Sequence, residues 1–269
     1  MRALALIFSP LLLSMLLTAC GVEMTEDTAQ IRVVSTSLCS DSYVLDALPH
    51  DNIAALSWQS GDNASTAPES FKDKPKASDN AEVLLALNPT LVVFGPGEGG
   101  AVKPLLDKRG IQYINLVWGE GFEAVSANMN IISEALQLDP FTINPPQYFP
   151  RGGLRPSVLY LSASGATAGP GTYVDAAIQA AGGSNIIAMP GWHTPSIESL
   201  VGLNPDLIVT SFFKDGYASV NEAGLRNKAL QDKIHGISRV NVPGKLWPCA
   251  GPGLFEATRI IGKAIEELE

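Results

Sequence analysis

Positive charge is scarce in this sequence. Eighteen Lys and Arg face 27 Asp and Glu over 269 residues, giving a formal net charge of −9. Without a basic face to neutralise phosphates, nucleic acid and bare anionic lipid surfaces are excluded as partners. Histidine is scarcer still. His50, His193 and His235 are the whole set and lack the spacing of a metal-binding cluster, so no metal site and no cofactor are expected. There is no Gly-x-Ser-x-Gly elbow, which argues against a serine hydrolase. Charged residues make up only 17% of the chain and hydrophobic ones 46%, so it can bury a core and is not a disordered segment.

What is present begins at the N-terminus. Arg2 precedes an almost unbroken apolar run from Ala3 to Leu17, closed by Leu17-Thr18-Ala19-Cys20. A run this short, ending in small residues, reads as a cleavable export signal and not a membrane span. Leu-Thr-Ala-Cys resembles the bacterial lipobox, which implies a signal over 1–19 and lipidation of Cys20. An ordinary export signal with a chance cysteine is the alternative. Each buried methylene of an acyl chain contributes about 0.8 kcal/mol, so several chains hold a domain on a membrane. Residues 20–30 are polar and acidic, a tether.

The mature chain repeats itself. Residues 82–93 (EVLLALNPTLVV) and 198–209 (ESLVGLNPDLIV) share seven of twelve positions at an offset of 116. Each copy reads as a short helix stopped by Asn-Pro, because proline restricts the residue before it. A continuous apolar strand follows, as in a parallel sheet covered on both faces. Repetition at half the mature length implies two similar α/β lobes. The expected strands are 31–35, 53–56, 91–94 and 113–117, then 157–161, 207–210 and 239–242. Helices are expected at 41–47, 81–87, 102–108 and 122–138 in the first lobe. Those of the second are 173–181, 222–233 and 255–268. The lobes span 31–138 and 157–269. Between them, 139–156 carries Pro140, Pro145, Pro146, Pro150 and Pro156, a stiff linker.

Several elements together resemble the vitamin B12/iron-siderophore class of periplasmic binding proteins. They are Val33-Val34-Ser35 opening the first lobe and the Leu-x-Pro-x-Leu element of each lobe. Gly169-Pro170-Gly171-Thr172 and Ala181-Gly182-Gly183-Ser184-Asn185 of the second lobe complete the set. The resemblance implies two Rossmann-like lobes whose parallel sheets face a central ligand cleft, joined by a helix and the Pro-rich linker. It implies delivery of a metal chelate to an ABC permease with its ATPase, and no enzyme activity. It also implies that Glu82 and Glu198, seven residues before Pro89 and Pro205, dock on permease arginines. Glutamates that merely favour a helix start are the alternative. One departure stands out. The family's single long connecting helix has no counterpart here, because the helical pattern stops near Leu138. The small-amplitude closure of that family therefore does not carry over.

Ligands of open α/β sheets bind beyond the carboxyl ends of the strands. Those ends carry Ser37, Cys39, Trp58, Gln59, Gly97, Glu98, Trp118 and Glu120 in the first lobe. In the second they carry Ser164, Tyr173, Trp192, His193, Phe212, Phe213 and Trp247. All four tryptophans are among them. Tryptophan offers rigid apolar area for a flat ligand, although core packing is the alternative for any single one. No arginine cluster joins them, which argues against a strongly anionic catecholate chelate. Cobalamin, a hydroxamate siderophore, haem or another hydrophobic molecule remain. His193 is either a ligand to the metal of such a chelate or a plain loop residue. Cys39 and Cys249 either pair as a disulfide in an oxidising compartment or stand as separate half-buried thiols.

Two rival functions fit parts of the chain. Gly95-Pro96-Gly97-Glu98-Gly99-Gly100, with Glu120 beyond it, matches a dinucleotide fingerprint, but it follows an inner strand and Pro96 stiffens the turn. A lipid or sterol carrier on the same scaffold would keep the aromatic cleft and have no need of paired glutamates.

Overall fold

Two parallel sheets organise the chain. The computed structural model describes residues 31–142, 144–148, 153–162, 164–211, 228, 232 and 235–268. Cys20, Phe212, Phe213 and most of the helix expected over 222–233 lie outside them. In the first lobe the strands are β1 (Val33–Ser35), β2 (Ile53–Ser57), β3 (Lys76–Ala77), β4 (Leu91–Phe94) and β5 (Gln112–Asn115). Their order is β3-β2-β1-β4-β5. Helices α1 (Leu38–Ala47), α2 (Ala81–Ala86) and α3 (Lys103–Arg109) connect them, and α4 (Phe122–Ala135) leads out.

The second lobe holds β6 (Ser157–Ser162), β7 (Thr167–Ala168), β8 (Ser184–Asn185), β9 (Trp192–His193), β10 (Leu207–Ser211) and β11 (Ser238–Asn241). Its sheet runs β11-β10-β6-β8, and β7 pairs antiparallel with β9 beside it. Helices α5 (Tyr173–Ala180), α6 (Ile197–Val201) and α7 (Gly253–Glu266) complete the described part. Strands β3, β7, β8 and β9 have two residues each, too short to leave a periodic signal in sequence.

The repeated segment does the same work twice. Its strand, β4 or β10, lies beside the first strand of its own lobe, β1 or β6. The residue after the repeated proline stitches that pairing. Thr90 Oγ1 accepts from the Arg32 amide at 2.9 Å, and Asp206 Oδ2 accepts from the Ser157 amide at 2.7 Å. Burial of β4 is complete along its length, which accounts for its unbroken apolar sequence.

Side-chain caps fix where helices begin. Ser37, Asn80, Thr172 and Ser196 each accept from an amide in the first turn of α1, α2, α5 and α6. Helix α4 stops at Ala135, three residues before the expected Leu138. Gln137 turns to φ 54°, and the Leu138 amide reaches back to the Ser133 carbonyl. This αL stop satisfies the last carbonyls and ends the helix before Pro140 is reached.

The lobes share one hydrophobic cluster. Tyr43, Met129 and Ile132 of the first lobe belong to it together with Val174, Leu254 and Ile261 of the second. The linker lies against both sides. The Phe141 amide donates to Asn130 Oδ1 in α4, and the Tyr148 amide donates to the Ala180 carbonyl closing α5. The Tyr148 ring lies over Gly262 of α7, where a Cβ would come within 2.6 Å of it. Of the two states open to Cys39 and Cys249, the structure has the disulfide, which joins residues 210 apart in sequence.

Candidate functional site

In each sheet the order reverses beside the first strand, between β1 and β4 and between β6 and β10. Such switch points open a crevice at the strand ends. In the first lobe this place is lined by hydroxyls and carboxylates. Ser35 Oγ donates to Asp41 Oδ1 at 2.6 Å, and the Ser57 amide and Oγ donate to the two Asp41 oxygens at 2.8 and 2.6 Å. Burial nevertheless dominates and raises the Asp41 pKa above the ordinary carboxylate value. Ser37, expected in the site, is buried and committed to capping α1 through Ser40. Gln59 Oε1 accepts from the Leu38 amide at 3.2 Å.

The glycine-rich loop after β4 is filled by its own carboxylate. Glu98 Oε2 accepts from Thr36 Oγ1 at 2.6 Å and from the Gly95 amide at 2.9 Å. Asn115 Nδ2 donates to the carbonyls of Gly95 and Glu98. A phosphate-cradling loop offers its amides to an anion. Here an internal anion already sits on the first of them, which argues against the dinucleotide reading. Gly97 is exposed at φ 80°, where the turn requires glycine.

The tryptophans divide into two kinds. Trp58 and Trp118, beyond β2 and β5, are 65% and 75% exposed. Trp192 is 44% exposed, whereas Trp247 is 3% exposed. Trp247 packs against Tyr160 and Tyr173, with ring centroids 5.8 and 6.0 Å apart, and Trp192 closes the group 5.2 Å from Tyr173. Trp247 Nε1 is buried without a hydrogen-bond partner among the described residues, and the buried Ser211 hydroxyl lies beside that of Tyr160. Burial pushes the Tyr160 hydroxyl up to about 12 and raises Tyr173 further. Sequence reasoning missed Tyr160, which reads as core within an apolar strand.

Contacts between the lobes border the same region. Glu120 Oε2 accepts from the Tyr173 amide at 2.8 Å, placing a carboxylate on the positive end of α5. His193 Nε2 lies 2.9 Å from the Met189 carbonyl, and Ser164 Oγ lies 2.9 Å from Ser162 Oγ. Cys39 is occupied by its disulfide. Glu82 and Glu198 share one local setting. Each is the exposed second residue of its short helix, α2 or α6. Glu198 is held below the usual carboxylate range by hydrogen bonds from its own amide and Ser196.

No protein-family model matches the chain. A cobalamin-binding protein of Halobacterium salinarum is 43% identical over 65 residues, 23% of this chain and 18% of that protein. The match thus spans less than a fifth of the relative's length. Solved structures align far more widely. The periplasmic heme-binding protein RhuT from Roseiflexus sp. RS-1, in apo form, matches 88% of this chain and 98% of its own at 18% identity and TM-score 0.62. The periplasmic vitamin B12 binding protein BtuF of Vibrio cholerae matches 88% and 97% at 16% identity and TM-score 0.55. The chain thus has the two-lobed α/β fold of the periplasmic heme- and vitamin B12-binding proteins.

Proposed function

We propose that this chain is the extracytoplasmic substrate-binding protein of an ABC importer, capturing a bulky metal chelate of the cobalamin, haem or iron-siderophore type. The observation that carries the reading is the set of exposed tryptophans, Trp58 and Trp118 just beyond β2 and β5 and Trp192 in β9. A flat, largely apolar ligand would cover them and gain their area. The fold shared with heme- and B12-binding proteins supports the same ligand class. A disulfide in the chain fits an oxidising, extracytoplasmic compartment. In this reading Cys20 carries the lipid anchor. Glu82 and Glu198, equivalent in their helices, dock one per lobe on the permease. Exposed ion pairs contribute little affinity each, so their role is orientation.

Titration with hemin and with cyanocobalamin, followed by tryptophan fluorescence and ligand absorbance, tests the capture. Saturable quenching by one of them is expected, and no quenching by either would overturn the ligand class. Glu82→Ala combined with Glu198→Ala should keep that binding and abolish stimulation of the reconstituted permease's ATPase. Undiminished stimulation would remove the docking role.

A further inference from the structure

The two lobes are fastened together a second time, away from the linker. Cys39 lies in the first turn of α1, and Cys249 lies in the turn Pro248–Ala250 between β11 and α7. Beside the disulfide, the buried Tyr43 hydroxyl donates to the Ala250 carbonyl at 3.2 Å and accepts from Asn128 Nδ2 at 3.2 Å. Asn128 in turn holds the amide and the carbonyl of Val117, next to Trp118. A line of hydrogen bonds therefore runs from Val117 in the first lobe through α4 and α1 into the second. Cys249 and Ala250 themselves have φ of 63° and 46°, a region that non-glycine residues enter only when held there.

We propose that the Cys39–Cys249 bond is a covalent clamp between the lobes, a second fastening besides the linker. The linker over 139–156 and the disulfide are two covalent attachments between the lobes, and the bond limits separation and twisting at a junction that the shared hydrophobic cluster also packs. The inference goes beyond the ligand reading. It rests on the cross-lobe contacts and holds whatever the cleft carries, so its failure and that of the proposed function are separate results.

The test compares the full mature chain with its disulfide intact and the same chain reduced by a phosphine. Donor and acceptor dyes are coupled to p-acetylphenylalanine placed at the exposed positions Lys108 and Arg239, one per lobe. This chemistry leaves the cysteines alone. Single-molecule transfer efficiency should show one narrow population in the oxidised protein. Reduction should broaden it at least about twofold with far-ultraviolet circular dichroism unchanged, and Cys39→Ser with Cys249→Ser should behave like the reduced chain. Three results would overturn the clamp. They are two free thiols in the native protein, an unchanged distribution after confirmed reduction, or loss of the sheets' dichroism on reduction. In the last case the bond would hold the fold itself and not the lobe separation. Should the double variant fail to fold, phosphine reduction of the folded protein decides alone.

Discussion

The two lobes present opposite solutions to the same position. At the ends of β2 and β5 the first lobe leaves Trp58 and Trp118 exposed, and next to Trp58 the hydroxyl of Ser57 bonds the buried Asp41. The second lobe folds Tyr160, Tyr173 and Trp247 into one another and exposes only part of Trp192. An aromatic residue at a strand end thus has two distinct fates. In the first lobe the ring stays open to its surroundings, and in the second, rings brought from elsewhere in the chain cover it and make it wall.

The strongest way to break this contrast is Trp247→Ala. It should lower stability by about 3–5 kcal/mol in urea or thermal denaturation, as expected for a buried aromatic. Trp58→Ala should change stability by no more than about 0.5 kcal/mol, as at an exposed site. Equal losses at both positions would erase the distinction.

Asp41 tests the polar cluster between β1 and β2. Asp41→Ala strands the hydroxyls of Ser35 and Ser57 and should cost about 2–3 kcal/mol, while Asp41→Asn, which keeps an acceptor, should cost much less. The sign with pH follows from its raised pKa. The folded state holds the Asp41 proton more tightly than the unfolded chain. Its stabilising contribution is therefore full below the ordinary carboxylate pKa and is lost as pH rises through the elevated one. Chemical denaturation across that window should show the dependence in the native chain and its loss in Asp41→Asn.

Much of this architecture was legible beforehand. The duplicated Leu-Asn-Pro segment marked both lobes, and its strands lie where the repeat put them because apolar runs between turn signals have few other destinations. The division among the tryptophans was not legible. Trp118 and Trp247 each follow an edge strand of their sheet, β5 and β11, and nothing local to either separates an exposed ring from a buried one. The difference comes from Tyr160 and Tyr173, which approach from 87 and 74 residues upstream of Trp247. The stop of α4 lay three residues early for a similar reason, since an αL turn at Gln137 carries no glycine to announce it.

Smaller effects sharpen the comparison further. Trp58→Ala together with Trp118→Ala should weaken binding of whichever of hemin or cyanocobalamin the protein takes by about tenfold or more, roughly 1.4 kcal/mol, with stability kept. Unaltered affinity in a fluorescence-independent titration such as calorimetry would place the guest elsewhere. Glu120→Ala removes the carboxylate from the α5 terminus and should cost about 0.3–1 kcal/mol, an effect that added salt diminishes. A salt-independent loss would mean that Glu120 acts by packing.

Gly262 carries a last implication. Because the Tyr148 ring occupies the space its missing side chain leaves, the spacing of the proline-rich connector is keyed to one notch in the final helix. Adding or deleting a single connector residue would pull the ring out of phase with that notch, so the apparent spacer tolerates length changes poorly for a surface segment. An alanine at 262 should have the same consequence from the opposite side, freeing the connector while leaving every strand in place.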